Sequence, residues 1–340
     1  MIHRAPTTPG LYAEIGQLTG VCFDAGLNVD PSKWDLFQSD RSRRKRLWWA
    51  LYIHDKWSAL GLGRPSYIHD DDCNVPLLST DDIAISTVGG DPLPPTSARM
   101  FVAMAALTQI LSMLLSHFYT LRAVNNLAQA SVEDMSELGR YFEQLLSGFY
   151  TEHILPLTTV NDTLLDPTGL YRERRCGPCL KLTLIGTLFL SYHTVELVLY
   201  RALLRSMAPP ACISIQFRTR AKHAVHSISQ LLENLQVTRL RAFWWLPISR
   251  INFAIAGGFM FSMLLSSISA EDVDYWSAEI TRYRRLLDMQ SLTFDTAKYA
   301  AARMMLLATV IHSGRPESAG GSVDPKQAFC RDFGVELNTL

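Results

Sequence analysis

The sequence carries no surplus of either charge: lysine plus arginine number 32 and aspartate plus glutamate number 32 in 340 residues. A chain that grips a phosphate backbone by itself usually shows a clear basic excess, so composition does not point to direct nucleic-acid binding. Cysteine is scarce. The six residues, at 22, 73, 176, 179, 212 and 330, are mostly isolated, which argues against a disulfide framework and for a reducing compartment. The first dozen residues hold no apolar run of the secretory kind, and a stretch this short, broken by Pro6 and Pro9, does not argue for a transit peptide; the expectation is an intracellular protein. A phosphate-cradling glycine loop, HExxH, GxSxG and a supported Ser-x-x-Lys set are all missing. No residue is therefore assigned a catalytic, cofactor-binding or metal-ligating role.

Strict apolar–polar alternation is also lacking. Apolar residues recur three and four apart along nearly the whole chain, and with 48% hydrophobic residues the reading is an all-α protein, an irregular bundle of about 8–10 helices. Helices are expected over 11–25, stopped by Gly26, and from near Ser42 to Gly61–Gly63. Further helices are expected at about 98–128, 132–153, 179–207, 214–236, 244–268, 271–288 and 292–312. Between the second and third lies a Pro/Asp-rich connection, 64–97, with Pro65, Pro76, Pro92, Pro94, Pro95 and six aspartates, read as ordered but irregular. Residues 1–312 read as one domain and 313–340 as a mobile tail.

Three stretches are long without charge: 100–121, 182–195 and 251–270. Two of them meet the roughly 20 residues a membrane span requires, which keeps a multi-helix membrane protein as an alternative. Gln109, Ser112, Ser116 and His117 in the first, and Asn252, Gly257, Gly258 and four serines in the last, favour core helices instead.

Several motifs look chemical. Cys176-Gly177-Pro178-Cys179 has the spacing of a thiol–disulfide pair, and Arg174 and Arg175 would favour the thiolate. The preceding residues do not read as a strand, however, and Gly177-Pro178 also suits a helix start, where proline's missing N–H is harmless. A thiol oxidoreductase using Cys176 and Cys179 stands as the lesser alternative. Tyr52-x-x-x-Lys56 matches the pair in which a lysine lowers a catalytic tyrosine's pKa; without a nucleotide-binding fingerprint it reads as an aromatic and a solvated charge on one helix. Asp70, Asp71 and Asp72, with Asp81 and Asp82, lack the alternating oxygens, glycine and distant glutamate of a calcium loop, so capping, N–H acceptance or solvent exposure is expected. The basic run Arg41-Ser42-Arg43-Arg44-Lys45-Arg46 fits either a nuclear-import patch or a structural helix start. In the second case its charges oppose the helix dipole, so an acidic partner is needed, with the nearby acidic loop a candidate.

After that run come Leu47-Trp48-Trp49, Asp55-Lys56-Trp57, Gly63-Arg64-Pro65, Ile68, Asp70, Asp72 and Val75-Pro76-Leu77. The spacing describes a helix with a buried stripe at Trp49, Ile53 and Trp57, a glycine stop, and a proline-bounded loop folding back. In its order and spacing this segment resembles the signature of the fungal-specific transcription factor domain, the regulatory region of binuclear zinc-cluster proteins, with the xylanolytic-activator-like and nitrogen-catabolism branches nearest. Gly26 to Trp34, Leu190 to Arg201 and Phe243 to Phe253 are more weakly similar to other parts of that domain, with Tyr200 and Ala202 departing from its usual His and Pro. The resemblance implies a non-enzymatic nuclear regulator of transcription by RNA polymerase II. It also implies co-regulators or a small-molecule inducer as partners, no membrane, and a homodimer as an option. DNA binding would belong to a six-cysteine cluster holding two zinc ions, whose motif these residues do not contain; the chain reads as beginning partway into the family's domain.

Overall fold

In the computed structural model, residues 10–84, 95–159, 186–206, 212–235, 246–313, 326 and 329 are described. Among them every regular element is helical. The chain gathers into two compact units, Met1–Lys181 with Ala202–Ile213, and Leu182–Arg201 with Ser214–Leu340.

The first unit is built from α1 (Leu11–Asp24), α2 (Gln38–Leu62), α3 (Thr80–Ala84), α4 (Pro95–Phe118), α5 (Leu121–Leu127), α6 (Val132–Phe149), a π-helical turn (Tyr150–Ile154) and α7 (Leu155–Thr159). Two boundaries differ from the sequence reading. α2 starts at Gln38, placing Asp40 in its first turn, where a carboxylate suits the positive end of the helix dipole. The expected helix 98–128 is divided after Phe118, because the Thr120 hydroxyl accepts the Ala123 N–H at 3.1 Å and caps α5, diverting the chain at a side-chain cap. Ser131 and Asp134 form a reciprocal capping box at the start of α6.

The second unit holds α8 (Gly186–Ser206) up to Arg201, most of α9 (Cys212–Glu233), then α10 (Leu246–Ser266), α11 (Ala270–Ser291) and α12 (Asp295–Ser313). α10 packs against both α11 and α12, with Phe253, Phe259, Met260 and Leu264 wholly buried. Several polar groups in this core are paired across helices: the Tyr283 hydroxyl donates to the Phe253 carbonyl (3.0 Å), Ser229 to Glu279 (2.8 Å), and the Asn252 amide N–H to Ser191 (3.1 Å). Gln290 donates to the Leu232 and Leu235 carbonyls at the end of α9 (2.9 and 3.1 Å).

The α10–α12 contact depends on Gly257. A Cβ there would lie 2.7 Å from Met304 Cγ, whereas at Gly258 it would meet Leu307 Cδ1 at an ordinary 3.6 Å. Alanine gains about 1 kcal/mol of helix propensity at either site, but overpacking at 257 costs about 1–3 kcal/mol. Gly258→Ala is thus expected to be more stable than Gly257→Ala by about 1–3 kcal/mol; equal urea midpoints would contradict the close packing.

By length and composition, 98–118 and 248–266 are apolar enough to cross a membrane, yet 67% of each window is buried within the protein. Their polar groups are also engaged: Thr108, Ser112 and Asn252 hydrogen-bond residues of other elements. Both helices occupy core positions.

Candidate functional site

The motif-bearing segment 41–82 centres on α2, buried around most of its circumference from Trp48 to Ala59. Trp49, Ile53 and Trp57 form the expected stripe, at 2%, 0% and 1% exposure. Each indole N–H is used: Trp49 donates to the Pro76 carbonyl and Trp57 to the Thr108 hydroxyl of α4, both at 2.9 Å. Gly63, with φ 61° and ψ 40°, ends the helix in the left-handed conformation that costs glycine least. The chain then folds back as Arg64–Ser79, its Tyr67 ring stacked on Tyr12 of α1 at 4.4 Å.

Asp55 organises the turn. Its carboxylate accepts the backbone N–H groups of Tyr67 (2.9 Å) and Ile68 (3.1 Å) and the Ser66 hydroxyl (2.5 Å). The carboxylate is thereby satisfied at 1% exposure. Lys56 is buried too, at 3%, which corrects the reading of a solvated charge. It donates to Ser66 Oγ (2.8 Å) and to the Ile68 carbonyl (2.5 Å), and lies 4.0 Å from Asp55 and 3.6 Å from Asp70. Asp70 in turn accepts the Tyr52 hydroxyl (2.8 Å) and the Ser112 hydroxyl of α4 (2.7 Å). A buried ion pair survives only when its remaining hydrogen-bonding capacity is filled, and here the loop backbone fills it.

That arrangement is a latch. Burial, reinforced by the Asp70 carboxylate, pushes the Tyr52 phenol far above its ordinary range, opposite to what an activated tyrosine requires. Both Asp70 oxygens are already engaged by Tyr52, Ser112 and Lys56, so they do not present an open cation site. Asn28 donates to the Asp72 carbonyl (2.8 Å), and Asn74 accepts the Asp30 N–H (2.7 Å), tying the acidic loop to the segment after α1.

Apart from the exposed Arg43, the basic run is likewise engaged by the protein itself. Arg41 donates to the Leu36 and Ser32 carbonyls, both at 3.1 Å. Arg44 donates to the Ala25 carbonyl beyond the end of α1 and stacks over Trp34 at 4.6 Å. Lys45 pairs with Asp82 at 3.6 Å, and Arg46 donates to the Asp82 carbonyl. The compensating acid is thus Asp82, not the Asp70–Asp72 triplet. Burial raises the Asp82 carboxyl pKa, but hydrogen bonds from Ser79 and Ser42 and the charge of Lys45 outweigh it and hold it below the usual value.

Asp55 and Lys56 stand apart from Asp70 along the chain and meet it only in the fold, where Ser112, a polar group unwelcome in lipid, joins them from α4. Asp82 was grouped with aspartates expected to cap, accept N–H groups or face water; it caps α3 through Ser79. Cys176 and Cys179 lie outside the described residues, as do Phe243, Trp244 and Trp245.

This construction, a tryptophan helix closed by an Asp–Lys latch and a proline-bounded loop, falls within residues 7–145, which match the family model of the fungal specific transcription factor domain. The chain is 24% identical over 324 residues to the transcriptional activator protein DAL81 of Saccharomyces cerevisiae, covering 84% of this chain and 32% of that protein. To the transcriptional activator protein acu-15 of Neurospora crassa it is 25% identical over 224 residues, 64% of this chain and 22% of the relative. To cutinase transcription factor 1 alpha of Fusarium vanettenii it is 31% identical over 105 residues, 30% and 12%. The chain therefore spans a third or less of the length of these relatives. No solved structure matches it. The latch lies inside the matched residues, and its charged side chains hold the loop to α2 and α4.

Proposed function

We propose that this chain is the helical regulatory part of a nuclear, non-enzymatic fungal transcription factor of the zinc-cluster type, acting on transcription by RNA polymerase II. In this reading DNA is contacted through a separate zinc-cluster module holding two zinc ions, and the helical domain controls activation through co-regulators or a small-molecule inducer. Homodimerisation is compatible with the same reading. The observation that carries it is the domain match over residues 7–145, supported by relatives named as transcriptional activators. The latch agrees with it: a tyrosine far above its usual pKa and a fully engaged lysine suit a scaffold better than a reaction centre. The inward use of Arg41, Arg44, Lys45 and Arg46 favours the structural role of the basic run, so nuclear import would draw on other sequence.

The test is a fusion of residues 1–340 to a heterologous DNA-binding domain, with reporter transcription read under several carbon and nitrogen sources. The expected result is a several-fold change, of either sign, in at least one condition. A reporter that stays level in every condition, with the fusion present at normal abundance, overturns the proposal.

A further inference from the structure

Asn252 of α10 is wholly buried, yet the protein completes only part of its hydrogen bonding. The amide N–H donates to Ser191 Oγ of α8 at 3.1 Å, while Oδ1, sealed from solvent, accepts nothing from the protein. Turning the amide over only exchanges an unmatched acceptor for an unmatched donor, because Ser191 engages one end alone. A buried polar atom in that state is costly, and native proteins pair the great majority of such atoms with a protein group or an ordered water.

The surroundings of Asn252 suit water. One turn earlier on α10, Ser249 meets Thr187 of α8, the two hydroxyl oxygens 3.3 Å apart. Thr187 and Ser191 stand four apart on α8, and Ser249 and Asn252 three apart on α10, so each pair shares a helix face with Cβ atoms about 5–6 Å apart. All four side chains are at 0% exposure. They form a four-cornered polar seam between the two helices. Three of its corners are the small residues serine and threonine, in a core that elsewhere along α10 is filled by Phe253 and Phe259. A single water spans the gap from Asn252 to Ser249 with two hydrogen bonds of about 2.8 Å each. Buried waters need about two to four polar partners, and the seam supplies them. The Ser249 hydroxyl can donate once and accept twice, so its contact with Thr187 leaves it capacity for a second partner.

We propose that one long-lived water molecule is bound in the α8–α10 seam, donating to Asn252 Oδ1 and hydrogen-bonded to Ser249 Oγ. The water completes the amide. Because both cross-helix pairs and the water require α8 and α10 at one relative height, the site also fixes the register of these helices.

The full chain provides two tests. In a crystal structure that resolves ordered solvent, a water oxygen is expected within about 2.7–3.2 Å of both Asn252 Oδ1 and Ser249 Oγ; a gap without it, or a protein group hydrogen-bonded to that end of the amide, overturns the proposal. In solution, magnetic relaxation dispersion of the water oxygen nucleus counts long-lived internal waters. Asn252→Leu, which removes the amide, and Ser249→Val, which fills the gap from the other side, are each expected to lower the dispersion amplitude by the equivalent of one water. Either variant serves if the other fails to fold. An amplitude equal to that of the intact chain, in a variant that keeps its helical circular dichroism, overturns the proposal.

Discussion

Asp55→Ala is expected to lower the stability of the first unit by about 3–5 kcal/mol, the range for removing one partner of a buried, hydrogen-bonded ion pair. Three losses coincide. The Tyr67 and Ile68 N–H groups lose their acceptor, Ser66 loses its anchor, and Lys56 keeps only the partly exposed Asp70 as its carboxylate partner. Asp55→Asn should fall between wild type and alanine, because it retains an acceptor oxygen while giving up the charge. Hydrogen exchange of the α2 and 64–72 amides, read beside urea unfolding, checks this. If Asp55→Ala shifts the urea midpoint no more than an ordinary surface substitution, the latch contributes little.

Trp57→Ala is expected to have an effect of the same size, about 3–5 kcal/mol, as for other large aromatic truncations in cores. The indole is 1% exposed and bridges α2 to α4 through Thr108. Trp57→Phe should cost less, about 1–2 kcal/mol, since most of the ring volume stays and the Thr108 hydroxyl still donates to the Met104 carbonyl at 2.7 Å. The phenylalanine variant thereby separates volume from the hydrogen bond. Far-UV circular dichroism during urea unfolding gives both values, and a Trp57→Ala midpoint equal to that of Trp57→Phe would remove the volume argument. In cells a loss this large lowers abundance, so a reporter assay of the alanine variant must be normalised to the amount of protein.

The two predictions bear on function through one route. A unit held by buried contacts 10 to 51 residues apart in sequence depends on them for its shape. Loss of reporter activity in these variants therefore reports on folding.

The helical class, most helix boundaries and the stripe at Trp49, Ile53 and Trp57 followed from the sequence by itself, because each rests on three- and four-residue periodicity and on local stops such as Gly63. The family resemblance was also legible, since it depends on order and spacing along one strand of sequence from Arg41 to Leu77. The cap at Thr120 was local as well, yet an apolar run continuing on both sides of it hid the break.

Only the tertiary structure decided what the charged residues do. Lys56 reads as a solvated lysine on a helix until the loop returns to supply Ser66, the Ile68 carbonyl and Asp70. Ser112 reads as a polar defect in an apolar helix until Asp70 is placed 2.7 Å from it. Asp82 reads as one more loop aspartate until Ser42, Lys45 and the Ser79 cap converge on it. The physical reason is the same in each case. Burial of an apolar face is written in local periodicity, but the partner of a buried charge is chosen by where distant segments meet, and no spacing rule along the chain encodes that meeting.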